Sequence, residues 1–118
     1  YLYCWEDSIM ESCIFCKIAE GKIPVPKFWE DNKYLAFFDK HPLRKGHILV
    51  LPKKHTDYIF DINDKEYQEL MLKAKGIAKK LKLKFKTKRI VMLVEGFAVP
   101  HSHIHLIPSN KPLNIKGR

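Results

Sequence analysis

The sequence predicts an α+β fold: an antiparallel sheet of about five strands carrying one long helix, with one short helix near the N-terminus. Three observations carry that prediction. Apolar residues recur at helical spacing over one long stretch, from Tyr67 to Leu81. Elsewhere they fall in short runs of strand length, bounded by Gly, Pro, Asn or Asp. The chain has 118 residues, 46% of them hydrophobic, which suits one compact domain with a real core.

The elements follow in order. Residues 1–9 (YLYCWEDSI) precede Met10 as an N-terminal extension. IFCKIAE (14–20) reads as a short helix, stopped by Gly21. Pro24 and Pro26 then force extended chain. PKFWED and YLAFFD flank Asp31-Asn32-Lys33, a hairpin-sized loop. GHILVLP (46–52) reads as a buried strand. Asn63 followed by Glu66 resembles a capping box. Tyr67, Leu70, Met71, Ala74, Ile77, Ala78 and Leu81 then form one helical stripe, with Lys73, Lys75, Lys79, Lys80 and Lys82 mostly off it. Gly76 costs that helix roughly 1 kcal/mol relative to Ala and marks a candidate close contact. KRIVMLVE (88–95) is a further strand, Gly96–Pro100 a tight link, and PHSHIHLIP (100–108) the last strand, closed by Pro108. Residues 109–118 form a polar tail. Repeats and linkers are absent, so residues 1–118 read as a single domain.

The formal net charge is +9, from 22 Lys+Arg against 13 Asp+Glu. That favours anionic partners such as nucleotides, nucleic acid or acidic lipid. The lysines are spread from Lys17 to Lys116 and only three arginines are present, so a solvated lysine-rich surface is preferred to a nucleic-acid patch. No apolar run approaches the roughly 18 residues of a membrane span. The N-terminus lacks a basic-then-apolar signal pattern. A cytoplasmic protein with no membrane partner is expected. Three cysteines cannot make a full disulfide framework. Cys13 and Cys16 form C-x-x-C, which in a reducing compartment means metal or redox chemistry more often than a crosslink. Cys4 stands apart.

His101, His103 and His105 take up half of the chain's six histidines. Strand alternation puts them on one face, roughly 7 Å apart, with Ser102, Ile104 and Leu106 on the other. One buried histidine is usually a satisfied core residue. Three neutral imidazoles in a row, each with one donor and one acceptor, are expensive to bury without partners. The pattern points to metal ligation or to nucleophilic and acid–base catalysis.

The run H-S-H-I-H-L-I resembles the motif of the histidine-triad (HIT) family of nucleotide hydrolases and nucleotidyl transferases. The resemblance extends to C-I-F-C-K-I-A-E-G-K-I-P at 13–24, L-A-F-F-D at 35–39 and G-H-I-L-V-L-P-K-K-H at 46–55, so it covers about residues 12–108. It implies a homodimer and a nucleotide substrate attacked at its α-phosphate. His103 matches the family nucleophile, and His105 and His47 match positions around the phosphate. Ile14, Phe15 and Ile18, with Phe37, Phe38, Asp39 and Val99, match positions that hold the base and ribose. No external cofactor is required for the chemistry. Cys13, Cys16, His55 and His101 match positions with which some bacterial members bind zinc. Four protein ligands would make that zinc structural. The 38 residues between Cys16 and His55 do not fit a small zinc finger.

The chain departs from the family at four points. Phe38 stands where histidine is common, Val94 where asparagine is common, and Ser102 in a usually apolar slot. The link before the triad is short, and Ala98 sits near where many relatives have a leaving-group serine. The rival reading is a non-enzymatic nucleotide- or RNA-binding zinc module. A redox C-x-x-C protein is weaker, because the strand-then-helix context of thioredoxin is missing.

Overall fold

The computed structural model describes residues 13–114. The extension at 1–9 with Cys4, and residues 115–118 of the polar tail, lie outside the described residues. Strands β1 (Lys27–Glu30) and β2 (Tyr34–Phe38) form the expected hairpin, with a bulge between Lys27 and Trp29. Asp31 closes it: its Oδ1 accepts from the backbone N–H of Lys33 at 2.8 Å and of Tyr34 at 2.7 Å, an Asx-type turn. With β3 (Ile48–Pro52), β4 (Arg89–Leu93) and β5 (Ile104–Ser109), the described residues form one antiparallel sheet in the order β1-β2-β3-β5-β4.

The short helix α1 spans Ile14–Ala19. It ends in a Schellman motif: Lys22 N–H donates to Lys17 O at 2.9 Å and Gly21 N–H to Ile18 O at 3.0 Å. Gly21 can supply the left-handed residue (φ 81°) that this motif needs. The long helix α2 spans Asp64–Phe85. Asn63 Oδ1 accepts from Glu66 N–H at 2.9 Å, and Asn63 Nδ2 donates to the Glu66 carboxylate at 2.7 Å, so the cap forms as the spacing predicts. Gly76 is not a close contact: beyond its chain neighbours and the adjoining helix backbone, no heavy atom lies within 4 Å of where its Cβ would sit.

Alternation gives the sheet two apolar faces. On one, Tyr34, Ala36, Ile48, Val50, Ile104 and Leu106 pack against Leu70, Ala74, Ile77 and Leu81 of α2. Each fully buried Leu or Ile there stabilises the fold by roughly 1.5–3 kcal/mol. On the other, Leu35, Phe37, Leu49 and Leu51 pack against Cys13, Phe15, Cys16 and Ile18 of the α1 segment. Gly46 ties the start of β3 to the end of α2. It has φ 89°, and a Cβ there would lie 2.9 Å from the Phe85 ring, so only glycine fits before His47.

The last strand differs from the expected 100–108. His101 lies in a bend, and Ser102 and His103 also stand outside the ladder, which runs from Ile104 through Pro108 to Ser109. Their backbone bonds go elsewhere: His101 N–H to Val99 O at 2.8 Å and Ser102 N–H to Thr56 O at 2.5 Å. Pro108 is tolerated because β5 pairs with β3 only over Ile104–Leu106. Beyond that it has β4 on one side alone. Among the described residues, no helix is long and apolar enough to cross a membrane.

Candidate functional site

The two cysteines and five histidines of the motif stretches lie on the sheet face opposite α2, as does Asp39. The expected row survives although its first half is not a ladder strand. His103 and His105 have ring centroids 5.0 Å apart, and Phe15 stands edge-on to His103 at 5.0 Å and to His101 at 6.0 Å. Ser102 points the other way. Its hydroxyl donates to Asp57 O at 2.9 Å and accepts from Thr56 Oγ1 at 3.2 Å, which explains a buried serine in an otherwise apolar slot.

Backbone partners set the proton position on each imidazole. His103 Nδ1–H donates to His101 O at 2.7 Å, so its Nε2 carries the lone pair. Leu43 N–H donates to His47 Nδ1 at 3.0 Å, which leaves the His47 proton on Nε2. That Nε2–H meets His105 Nδ1 at 2.9 Å and Asp39 Oδ2 at 3.4 Å. The proton of neutral His105 is therefore on its Nε2. The network is a lone-pair nitrogen beside a relay of N–H donors, an arrangement that can attack an electrophile and stabilise charge on its oxygens.

Burial favours the neutral form of His47 and His105. It lowers the pKa of His47 against the opposing pull of Asp39, and lowers His105 to about 4, helped by His103 and His47. An unfolded histidine binds its proton near pH 6.5. Folded His105 does so only near pH 4, so between those values the unfolded chain holds more protons. Stability should fall as pH drops from about 6.5 toward 4 and stay level above 6.5 on this account. Thermal melts across that range should show the slope, and His105→Asn should make it shallower while the share due to His101, also lowered to about 4, remains.

The second cluster is Cys13, Cys16, His55 and His101, all buried, with one ligand atom each and all within 4.8 Å of one another. Cys16 Sγ lies 3.0 Å from His55 Nδ1, and His101 Nδ1 lies 3.5 Å from both sulfurs. Cys13 caps α1, its Sγ accepting from Cys16 N–H at 3.4 Å. His101 Nε2–H donates to Pro52 O at 2.8 Å, which turns the Nδ1 lone pair toward the thiols. Burial pushes His101 down to about 4 and lowers His55 as well, so both stay neutral. Two thiols and two correctly oriented neutral imidazoles fit a tetrahedral soft-metal site. Asp39, His47 and His105 are also close enough to hold an ion. There the Leu43 bond places a proton on His47 Nε2, the atom a metal would need, so that cluster suits hydrogen-bond donation instead.

The nucleoside positions divide. Phe15, Ile18 and Phe37 pack in the apolar cluster under the histidines, with Val99 against it, and Ile14 is 47% exposed on α1. Phe38 is not brought to this site. Alternation sends it to the α2 face, edge-on to Phe28 and near Phe85. Asp39 stands beside the histidines, and its Oδ1 accepts from His41 N–H at 2.8 Å. The backbone groups Leu43 N–H, Pro52 O and His101 O escaped sequence reading, because main-chain atoms carry no residue-type signal.

This fold and histidine arrangement define a class, and comparison with known proteins agrees. The HIT domain family matches residues 20–112, and the chain belongs to the HIT family. An uncharacterized HIT-like protein of Methanocaldococcus jannaschii is 42% identical, over 81% of this chain and 78% of that one. The adenosine 5'-monophosphoramidase HNT1 of Saccharomyces cerevisiae is 39% identical, over 82% of this chain and 62% of that one. The crystal structure of a HIT family member from Bacillus subtilis superposes with TM-score 0.80 at 32% identity, covering 91% of this chain and 83% of that one.

Proposed function

We propose that this chain hydrolyses or transfers nucleotidyl groups at the α-phosphate of nucleotide derivatives, through a covalent intermediate on His103. The single observation that carries the reading is the bond from His103 Nδ1–H to His101 O, which leaves Nε2 as the attacking nitrogen. Nε2 forms a bond to the α-phosphorus as the bond from phosphorus to the leaving group breaks. Water then attacks the phosphorus, the N–P bond breaks, and a nucleoside monophosphate departs. His105 Nε2–H, with His47 behind it, donates to the phosphate oxygens where charge develops. Asp39 and the Phe15–Phe37 cluster hold the nucleoside. Incubation with AMP derivatives tests this: release of AMP supports it, and tight binding without product supports a binding module instead.

Zinc is the metal that fits the Cys13–Cys16–His55–His101 donors, and its role is structural. It would pin α1 to the start of the histidine row. The active form is a homodimer. Supporting this, β4 is an edge strand with Met92 43% exposed. Leu72 and Leu83 of α2 are 68% and 79% exposed, and Gly76 leaves room beside them. Light scattering should give twice the chain mass.

Ala98 sets an expected leaving-group preference. An amine must be protonated as it departs, and Ala98, exposed in the link before the triad, has no proton to relay. A phosphate leaves without that help. General acid assistance is worth roughly 100- to 10,000-fold. Phosphate-leaving AMP derivatives should therefore be favoured over amine-leaving ones, and Ala98→Ser should shift the kcat/KM ratio toward the amine. A ratio unmoved by the added hydroxyl would show that this link does not choose the leaving group.

A further inference from the structure

His101 takes part in both clusters. Its ring presents Nδ1 to the sulfurs of Cys13 and Cys16, 3.5 Å from each, and its own carbonyl accepts the His103 Nδ1–H at 2.7 Å. The segment that carries it is outside the ladder, so sheet pairing does not fix that carbonyl. It is held instead by two backbone bonds, by His101 Nε2–H to Pro52 O, and by Ser102 to the Thr56–Asp57 backbone. Thr56 and Asp57 follow directly on His55, the other imidazole facing the thiols. Phe15, between the two cysteines in sequence, stands edge-on to the His103 ring.

We infer that His101 is a positioning residue through which metal held by Cys13, Cys16, His55 and His101 sets the orientation and tautomer of His103. The inference rests on the zinc and nucleophile assignments proposed above. With metal bound, the His101 ring is fixed at both nitrogens, and its carbonyl stays aimed at His103 Nδ1. Without metal, Nδ1 faces only thiols, which are weak hydrogen-bond partners. The 101–103 segment then loosens, and the His103 proton redistributes from Nδ1 to Nε2. A protonated Nε2 has no lone pair to attack with. The metal thus governs the chemical step rather than nucleotide binding.

The test compares metal-loaded protein with the metal-free Cys13→Ser/Cys16→Ser variant, by metal analysis, nitrogen NMR of the histidine rings and kinetics. Loaded protein should show His103 as one Nδ1–H tautomer. The folded, metal-free variant should show both tautomers, with kcat down at least about tenfold and KM within about twofold. His47, held by Leu43 N–H, serves as the control and should not change. If the variant does not fold, the wild type loaded with zinc is compared with the same protein loaded with cadmium, a larger ion that thiolates also bind. The His103 ring N–H resonance should then move while that of His47 stays. A single unchanged Nδ1–H tautomer of His103 in the folded metal-free variant overturns the inference, as does an unmoved resonance on metal exchange. Absence of any metal binding would sink the zinc assignment and this inference with it. The NMR comparison decides the positioning role even if no turnover is found, which would count against the nucleophile assignment alone.

Discussion

Replacing His103 with asparagine should lower turnover more than a hundredfold while leaving nucleotide affinity within about threefold. That drop is roughly 3 kcal/mol or more of barrier. The substitution is selective because of where the imidazole is held. An asparagine Nδ2–H falls near the position of His103 Nδ1–H and can keep the bond to His101 O. What disappears is Nε2, the nitrogen with the free lone pair. The Phe15–Phe37 cluster and Asp39 are untouched, so binding persists. Turnover within about tenfold of the parent would remove His103 from the nucleophile's role, and rapid-quench kinetics with an AMP derivative supply the measurement.

The second large effect is expected at Cys13. Cys13→Ser removes a thiol that caps α1 and faces His101. The purified parent should carry about one zinc per chain, and the variant should carry little. Its melting temperature should drop by roughly 10 °C or more, the displacement that about 2 kcal/mol produces in a domain of this size. Loss of metal unties Cys13 from the start of the histidine row, while Phe15 and Ile18 keep their packing against Leu35 and Phe37. A metal-free parent that melts at the same temperature as the zinc-loaded one would reject the structural role.

These effects were legible in the sequence to different depths. Helix α2 could be read from its stripe and its Asn63 cap because both signals are local. The Cys13/Cys16 and His55/His101 pairs could be assembled only through the family resemblance, since residues 39 and more apart carry no spacing rule of their own. The geometry then supplied the reason, in the Pro52 carbonyl that turns His101 toward the sulfurs. Alternation puts Phe37 on the histidine face and, applied one residue further, puts Phe38 on the α2 face, away from the nucleotide positions that the resemblance implied for it. It also implied that the triad was one regular strand. Side chains can face alternate ways along an unpaired segment too, so period alone could not reveal that Ser102 bonds to Thr56 rather than to a neighbouring strand. Gly46 was visible as a glycine, but its partner Phe85 lies at the far end of α2.

The central claim is a covalent bond to His103 Nε2, and trapping it tests that claim most directly. The protein is mixed with an AMP derivative labelled in the α-phosphate and quenched at alkaline pH, because an N–P bond of this kind hydrolyses in acid. Peptide mapping should place one nucleotidyl group on His103, attached at Nε2, and none on the His103→Asn variant. Label on another residue, or AMP released in single turnover with no labelled protein at any time, would contradict the account.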